Sequence, residues 1–94
     1  MLAARLNDLK RKSFSELRRL PQSSSVDSKD DQGRRVQVVT WCDQISPVEC
    51  RVVVSVHHVH GLGVSSVLEA EGFLIDQFGA ITGIDEAEAR ALLR

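Results

Sequence analysis

Three histidines stand almost together in His57-His58-Val59-His60, the densest group of potential metal ligands in the chain. In an extended segment, side chains alternate between faces. His58 and His60 then share one side and His57 takes the other, so at most two ligands converge from this run. Cys50 is eight residues from His58, roughly 26 Å along a strand, which is too far for it to complete a zinc-type sphere. A two-histidine site would need Glu69 or another group from a neighbouring strand. A histidine-rich strand end at the rim of a sheet explains the run without a metal, and no metal site is assigned.

Nucleophilic chemistry is the second option. If the segments around residues 50–59 and 66–75 pair as a hairpin with His57 opposite Glu69, then Ser55, His57, Glu69 and Glu71 share one face. Glu69 would orient the imidazole and Ser55 would lie two residues away. A strand serine lacks the strained elbow and the converging backbone donors of an acyl-transfer site, so no catalytic residue is assigned. Arg35, His57 and Glu69 are read as a polar cluster. Gly61-Leu62-Gly63-Val64-Ser65-Ser66 has glycines and serines fit for a phosphate cradle. The third glycine of a dinucleotide fingerprint and the Gly-Lys-Ser/Thr of a P-loop are both missing, so no cofactor is expected. Cys42 and Cys50 would face each other if the first hairpin pairs them. They are then either neighbouring reduced thiols acting as small hydrophobes or close enough for a disulfide after a small shift.

The elements that must position these residues are legible in the hydrophobic pattern. Leu2, Leu6 and Leu9 recur at helical spacing, and Leu17 and Leu20 resume it after Ser13. Ser13-Phe14-Ser15-Glu16 matches a capping box. One helix over 2–20, or two short ones joined near Ser13, fits this pattern, with Pro21 as a stop. Residues 21–33 hold a single large apolar residue, Val26, and read as a flexible polar loop. Arg34–Cys42 and Cys50–Val59 alternate and are β-branched, which predicts a hairpin. For 66–79 a helix capped at Ser66 competes with a strand to Ile75, a turn at Asp76-Gln77-Phe78-Gly79 and a short strand Ala80–Gly83. The strand reading is preferred: Gly72 is costly inside a helix but can mark a bulge in a strand. Asp85 caps a last helix. The expected fold is α+β: an antiparallel meander of three to four strands between an N-terminal helix and a short C-terminal one, order α-β-β-β-β-α, in a single domain over 1–94, with both helices on one face.

The same register divides the sheet. Val36, Val38, Val52, Val54 and Val56, the cysteines, and Leu68, Leu74 and Ile81 face the helices. The other side has a polar end and an apolar end, the latter made of Val39, Trp41, Val53, Phe73 and Ile75. An apolar patch centred on the only Trp suits a partner or a second copy, unless the N-terminal helix folds over it. Charge is divided too. Residues 1–20 carry a balance of +4 and the remainder −5, within a net charge of −1. Arg11 and Arg18 of this basic stretch are a second contact candidate, for an acidic partner or, as the alternative reading, for nucleic acid.

No run approaches the roughly 18 apolar residues of a membrane span. Arg5, Asp8 and Lys10 interrupt any signal-peptide core, so a cytoplasmic protein with reduced cysteines and no membrane partner is expected. The order α-β-β-β-α resembles that of the double-stranded-RNA-binding domain. The final helix, Asp85-Glu86-Ala87-Glu88-Ala89-Arg90, begins acidic and lacks the paired lysines such domains set against phosphates, and topology carries no function by itself. The sequence therefore points to a non-enzymatic binding or regulatory module, acting through protein–protein interaction or homodimerisation on one sheet face. The weaker alternative is a small hydrolase or metal protein built on the residues from His57 to His60.

Overall fold

The structure is a computed structural model that describes residues 2–59 and 65–92. His60 and the glycine-rich stretch 61–64 lie outside the described residues. Helices α1 (Leu2–Lys10) and α2 (Phe14–Arg18) precede five strands: β1 (Ser23–Lys29), β2 (Arg35–Ser46), β3 (Glu49–Val59), β4 (Ser65–Asp76) and β5 (Ile81–Ile84). Helix α3 (Glu86–Leu92) follows them. The strands form one antiparallel meander in sequence order. Among the described residues no helix is long and apolar enough to cross a membrane.

The α+β class and the meander are as expected, with one strand more. That strand is β1, in the polar segment read as a loop. Its side chains are all exposed, so it is ordered by its backbone ladder with β2 and by its turn, with little help from apolar burial. Asp30 organises that turn. Its Oδ1 accepts from the N–H groups of Gln32 at 2.9 Å and Arg34 at 2.8 Å, and Gly33 takes φ 75°. The β4–β5 turn repeats this chemistry. Asp76 Oδ1 accepts from Phe78 N–H at 2.9 Å and Ala80 N–H at 3.0 Å, and Gly79 takes φ 85°. Each is a hairpin turn closed by a glycine in the left-handed region.

The N-terminal segment is two helices. Ser13 caps α2, its Oγ accepting from Glu16 N–H at 3.2 Å while its hydroxyl donates to Glu16 Oε1 at 3.3 Å. The two helices cover what is here called the front face of the sheet, where Leu6, Leu9, Phe14 and Leu17 pack on Cys42, Cys50, Val52, Val54, Phe73 and Ile75. Helix α3 goes to the back face. Its Ala89 packs with Val53, Ala70 and Ile84, flanked by Val67 and Leu74. The expectation that both helices share one face is thus corrected.

The cause is register. Val56, not His57, stands opposite Glu69, and a bulge follows, so that His57 pairs with Val67 and Leu68 is the extra residue. The assumed pairing was off by one, which exchanges faces along β4 because side chains alternate. Phe73 and Ile75 therefore sit under the N-terminal helices, and Leu74 faces α3. Gly72 marks a close approach of backbones rather than the bulge. A Cβ placed there would overlap the Val52 carbonyl oxygen and lie 3.1 Å from Val53 Cα. Gly72→Ala is therefore expected to destabilise the fold by about 1–3 kcal/mol or more. Gly83→Ala, with nothing within 4 Å of the new methyl, should stay within about 0.5 kcal/mol. Urea unfolding of the two variants checks this, and equal effects would contradict the close approach.

Candidate functional site

Helix α3 is short and covers only part of the back face. Arg90 ties it to the bulge by donating to the Leu68 carbonyl at 2.8 Å and the Val67 carbonyl at 3.4 Å, while Glu86 accepts from the same guanidinium at 2.8 Å. The helix therefore lies over β3, β4 and β5, and Val53 beneath it is buried. Its last described residue, Leu92, joins Trp41, Asp43, Arg51 and Val53 around a cavity of about 40 Å³. Among the described residues the β1–β2 side of the back face is left open. There Ser23, Ser24, Ser25, Gln37, Val39, Trp41 and His57 line a shallow depression of about 460 Å³.

Trp41 is 37% exposed at the edge of this depression, whereas Val39 beside it is nearly covered. Of the five residues expected in an apolar patch, then, only Val39 and Trp41 belong to the open surface. Val53 lies under α3, and Phe73 and Ile75 are on the front face. The N-terminal helices do not reach Trp41, because they pack on the other side of the sheet.

Ser55 and His57 are neighbours on the back face. Ser55 Oγ lies 2.6 Å from His57 Nε2, a separation typical of a nucleophile and its base. Ser55, however, has no exposed surface at all, so a substrate carbonyl has no path to the hydroxyl. Glu69, the expected orienting carboxylate, stands opposite Val56 and projects to the front. The polar cluster is therefore not assembled. Arg35 shares the back face with His57, and Glu69 does not. Burial holds the His57 imidazole below the usual histidine range, so at neutral pH it is uncharged and shares a hydrogen bond with the buried hydroxyl whose direction follows the ring tautomer. His58 opposes Val36 on the front face. Among the described residues no three His, Cys, Asp or Glu side chains group as metal ligands.

The cysteines are also displaced from the expected pair. Cys42 stands opposite Val52, and Cys50 opposite Gln44. Both are buried free thiols. Cys42 Sγ donates to the Leu17 carbonyl at 3.2 Å, pinning α2 to β2. Burial, then the neighbouring Cys50 and Asp43, push its pKa up to about 11. Burial also raises that of Cys50, against the opposing pull of Arg18. Protonated thiols of this kind are poor nucleophiles.

The basic residues lie on the front side with α1 and α2. Arg18 stacks on the Phe14 ring at 5.5 Å, and Lys10 lies 5.9 Å from the centre of Phe73. Arg5 donates to Thr40 Oγ1 at 3.2 Å. These contacts give part of the basic stretch a packing role. Arg11 is exposed. Arg11 and Arg18 thus belong to a different surface from Trp41. Neither helix would have revealed the open depression from sequence, since its boundary depends on where α3 stops.

No protein-family model matches the chain, and neither the curated proteins nor the solved structures hold a match to it.

The burial of His57 has a pH signature. A histidine whose pKa falls on folding contributes stability that is full above the unfolded value of 6.5 and is lost as pH falls through the folded value. Wild-type protein should therefore show a larger drop in urea midpoint from pH 7.5 to 5.5 than His57→Gln, whose amide can still hydrogen-bond Ser55 but does not titrate. Equal drops in the two proteins would contradict a buried, neutral His57.

Proposed function

We propose that this protein is a non-catalytic binding module whose working surface is the open half of the back face, centred on Trp41, and whose partner is a protein. The observation that carries this reading is Trp41 itself. It is the only tryptophan in the chain, and it stands 37% exposed on an interior strand of the sheet, beside a depression that no helix fills among the described residues. A large amphipathic ring fixed by a sheet is a strong anchor, because little of its freedom remains to be lost on binding. The surroundings suit a protein surface. Val39 forms a nearly covered apolar floor beside the ring, while Ser23, Ser25 and Gln37 offer a polar rim of hydrogen-bonding groups, the layout of an ordinary recognition patch. The buried Ser55 hydroxyl and the high-pKa thiols add no accessible nucleophile to the described surface.

A photo-crosslinking residue at Gln37, compared with one at Thr82 on the far side of α3, tests this in the source cells. The expected result is a discrete protein adduct from position 37 that disappears when Trp41→Ser is added. The purified partner should then bind the Trp41→Ser protein at least about tenfold more weakly, the loss typical of a central aromatic anchor. Adducts that ignore Trp41→Ser, or that form equally from position 82, would overturn the reading.

A further inference from the structure

The outer edge of β1 carries a second surface, made of backbone groups rather than of the side chains that rim the depression. The ladder fixes which of its backbone groups are free. Cys42 N–H donates to the Gln22 carbonyl at 2.9 Å, and Asp30 N–H to the Arg34 carbonyl at 2.9 Å. Both pairs are register partners on the β1–β2 line. In an antiparallel ladder such bonded pairs alternate with unbonded ones. Ser24, Val26 and Ser28 therefore spend their backbone groups on β2. Ser23, Ser25, Asp27 and Lys29 point theirs outward, and among the described residues no other strand pairs with that edge.

Such an edge is usually blunted by proline, a bulge or inward charge. β1 has no proline, its register with β2 is unbroken over seven residues, and Asp27 is its only charge before the final Lys29. The opposite edge, β5, is only four residues long.

We propose that β1 pairs antiparallel with β1 of a second copy, joining two sheets into one of ten strands about a two-fold axis at Val26. One register uses all four outward-facing residues: Ser23 opposite Lys29, and Ser25 opposite Asp27, each pair made twice. Centring the axis on Ser25 leaves Lys29 without a partner, and centring it on Asp27 sets two carboxylates face to face. With the axis at Val26, the two valines meet as an unbonded pair, in which side chains approach most closely. Val26, 64% exposed in one copy, is thereby covered by its own equivalent. Such an interface is isologous and closes at two copies. It is also small, at the low end of specific interfaces, so the association should depend on concentration. The pairing goes beyond the binding reading above and does not need it. The two open depressions would lie on the same side of the joined sheet, with Trp41 free in both.

Charge exchange at the axis tests the register. Val26→Asp and Val26→Lys each place like charges opposite each other, at a side chain already turned to solvent. Light scattering behind a sizing column should show wild-type protein rising toward twice the monomer mass with concentration. Each variant alone should remain monomeric at the same concentration, and an equimolar mixture of the two should recover the dimer. Hydrogen exchange supplies a second readout. Amides of Ser24, Val26 and Ser28 should be protected at every concentration, and those of Ser23, Ser25, Asp27 and Lys29 only when the dimer forms. A monomer at every concentration overturns the proposal. So does a mass that climbs past two copies, which is the sign of head-to-tail β1–β5 pairing. A dimer that survives both Val26 variants but dissociates with Trp41→Ser overturns it in favour of the back face, leaving the binding reading intact.

Discussion

Side chains on a strand alternate, so one extra residue in β4 is felt along the whole sheet. That residue is Leu68, inserted where the β3–β4 register steps from Val56 to His57. It puts Phe73 and Ile75 beneath α1 and α2 and leaves Gly72 and Leu74 on the back. The bulge is held from outside the ladder, because Arg90 of α3 bonds the carbonyls of Val67 and Leu68. Helix and bulge thereby fix each other's position. Gly72 completes the arrangement by offering no side chain where a Cβ would overlap the β3 backbone.

From that register follow two small cores in place of one. The front core is sealed by leucines of α1 and α2, with Phe73 and the protonated cysteines beneath them. The back core is narrower, built on Val53, Ala70, Ile84 and Ala89. A helix of seven residues spans about 10 Å, less than the width of a five-stranded sheet whose neighbours lie about 4.8 Å apart. Among the described residues the open half of the back face is thus a consequence of length: the last described residue of α3 lies beside Trp41, and β1 and β2 continue beyond it. Ser55 and His57 lie where covered and open halves meet, which accounts for a hydroxyl fully buried beside an imidazole only partly so.

Much of the fold was legible because its signals are local. Ser13 and Glu16, Asp85, and the turn Asp76-Gln77-Phe78-Gly79 each act through bonds made within a few residues. The polar strand β1 was missed, although Asp30-Asp31-Gln32-Gly33 carries the same aspartate and glycine at the same spacing as the turn at 76–79. Poverty in apolar residues argued for a loop, whereas backbone pairing and a well-made turn sufficed for an edge strand. The site was less legible than the fold. Trp41 and Val39 keep their expected face because the β2–β3 register differs from the assumed Cys42–Cys50 pairing by two residues, which preserves the alternation, and its irregularity falls beyond them between Gln44 and Ser46. The assignments of Phe73, Ile75 and Glu69 reversed because they depended on a long-range register that no single residue announces. Where α3 would end, and hence what would stay uncovered, is a tertiary outcome of the same kind.

Hydroxyl-radical footprinting of the purified protein, with each rate referred to the unfolded chain, measures this division directly. The register described here requires Trp41 to be oxidised readily while Phe73 is strongly protected under the N-terminal helices. Oxidation of Phe73 together with protection of Trp41 would mean that β4 is paired one residue away, and that the surface assigned to partner binding is part of the core.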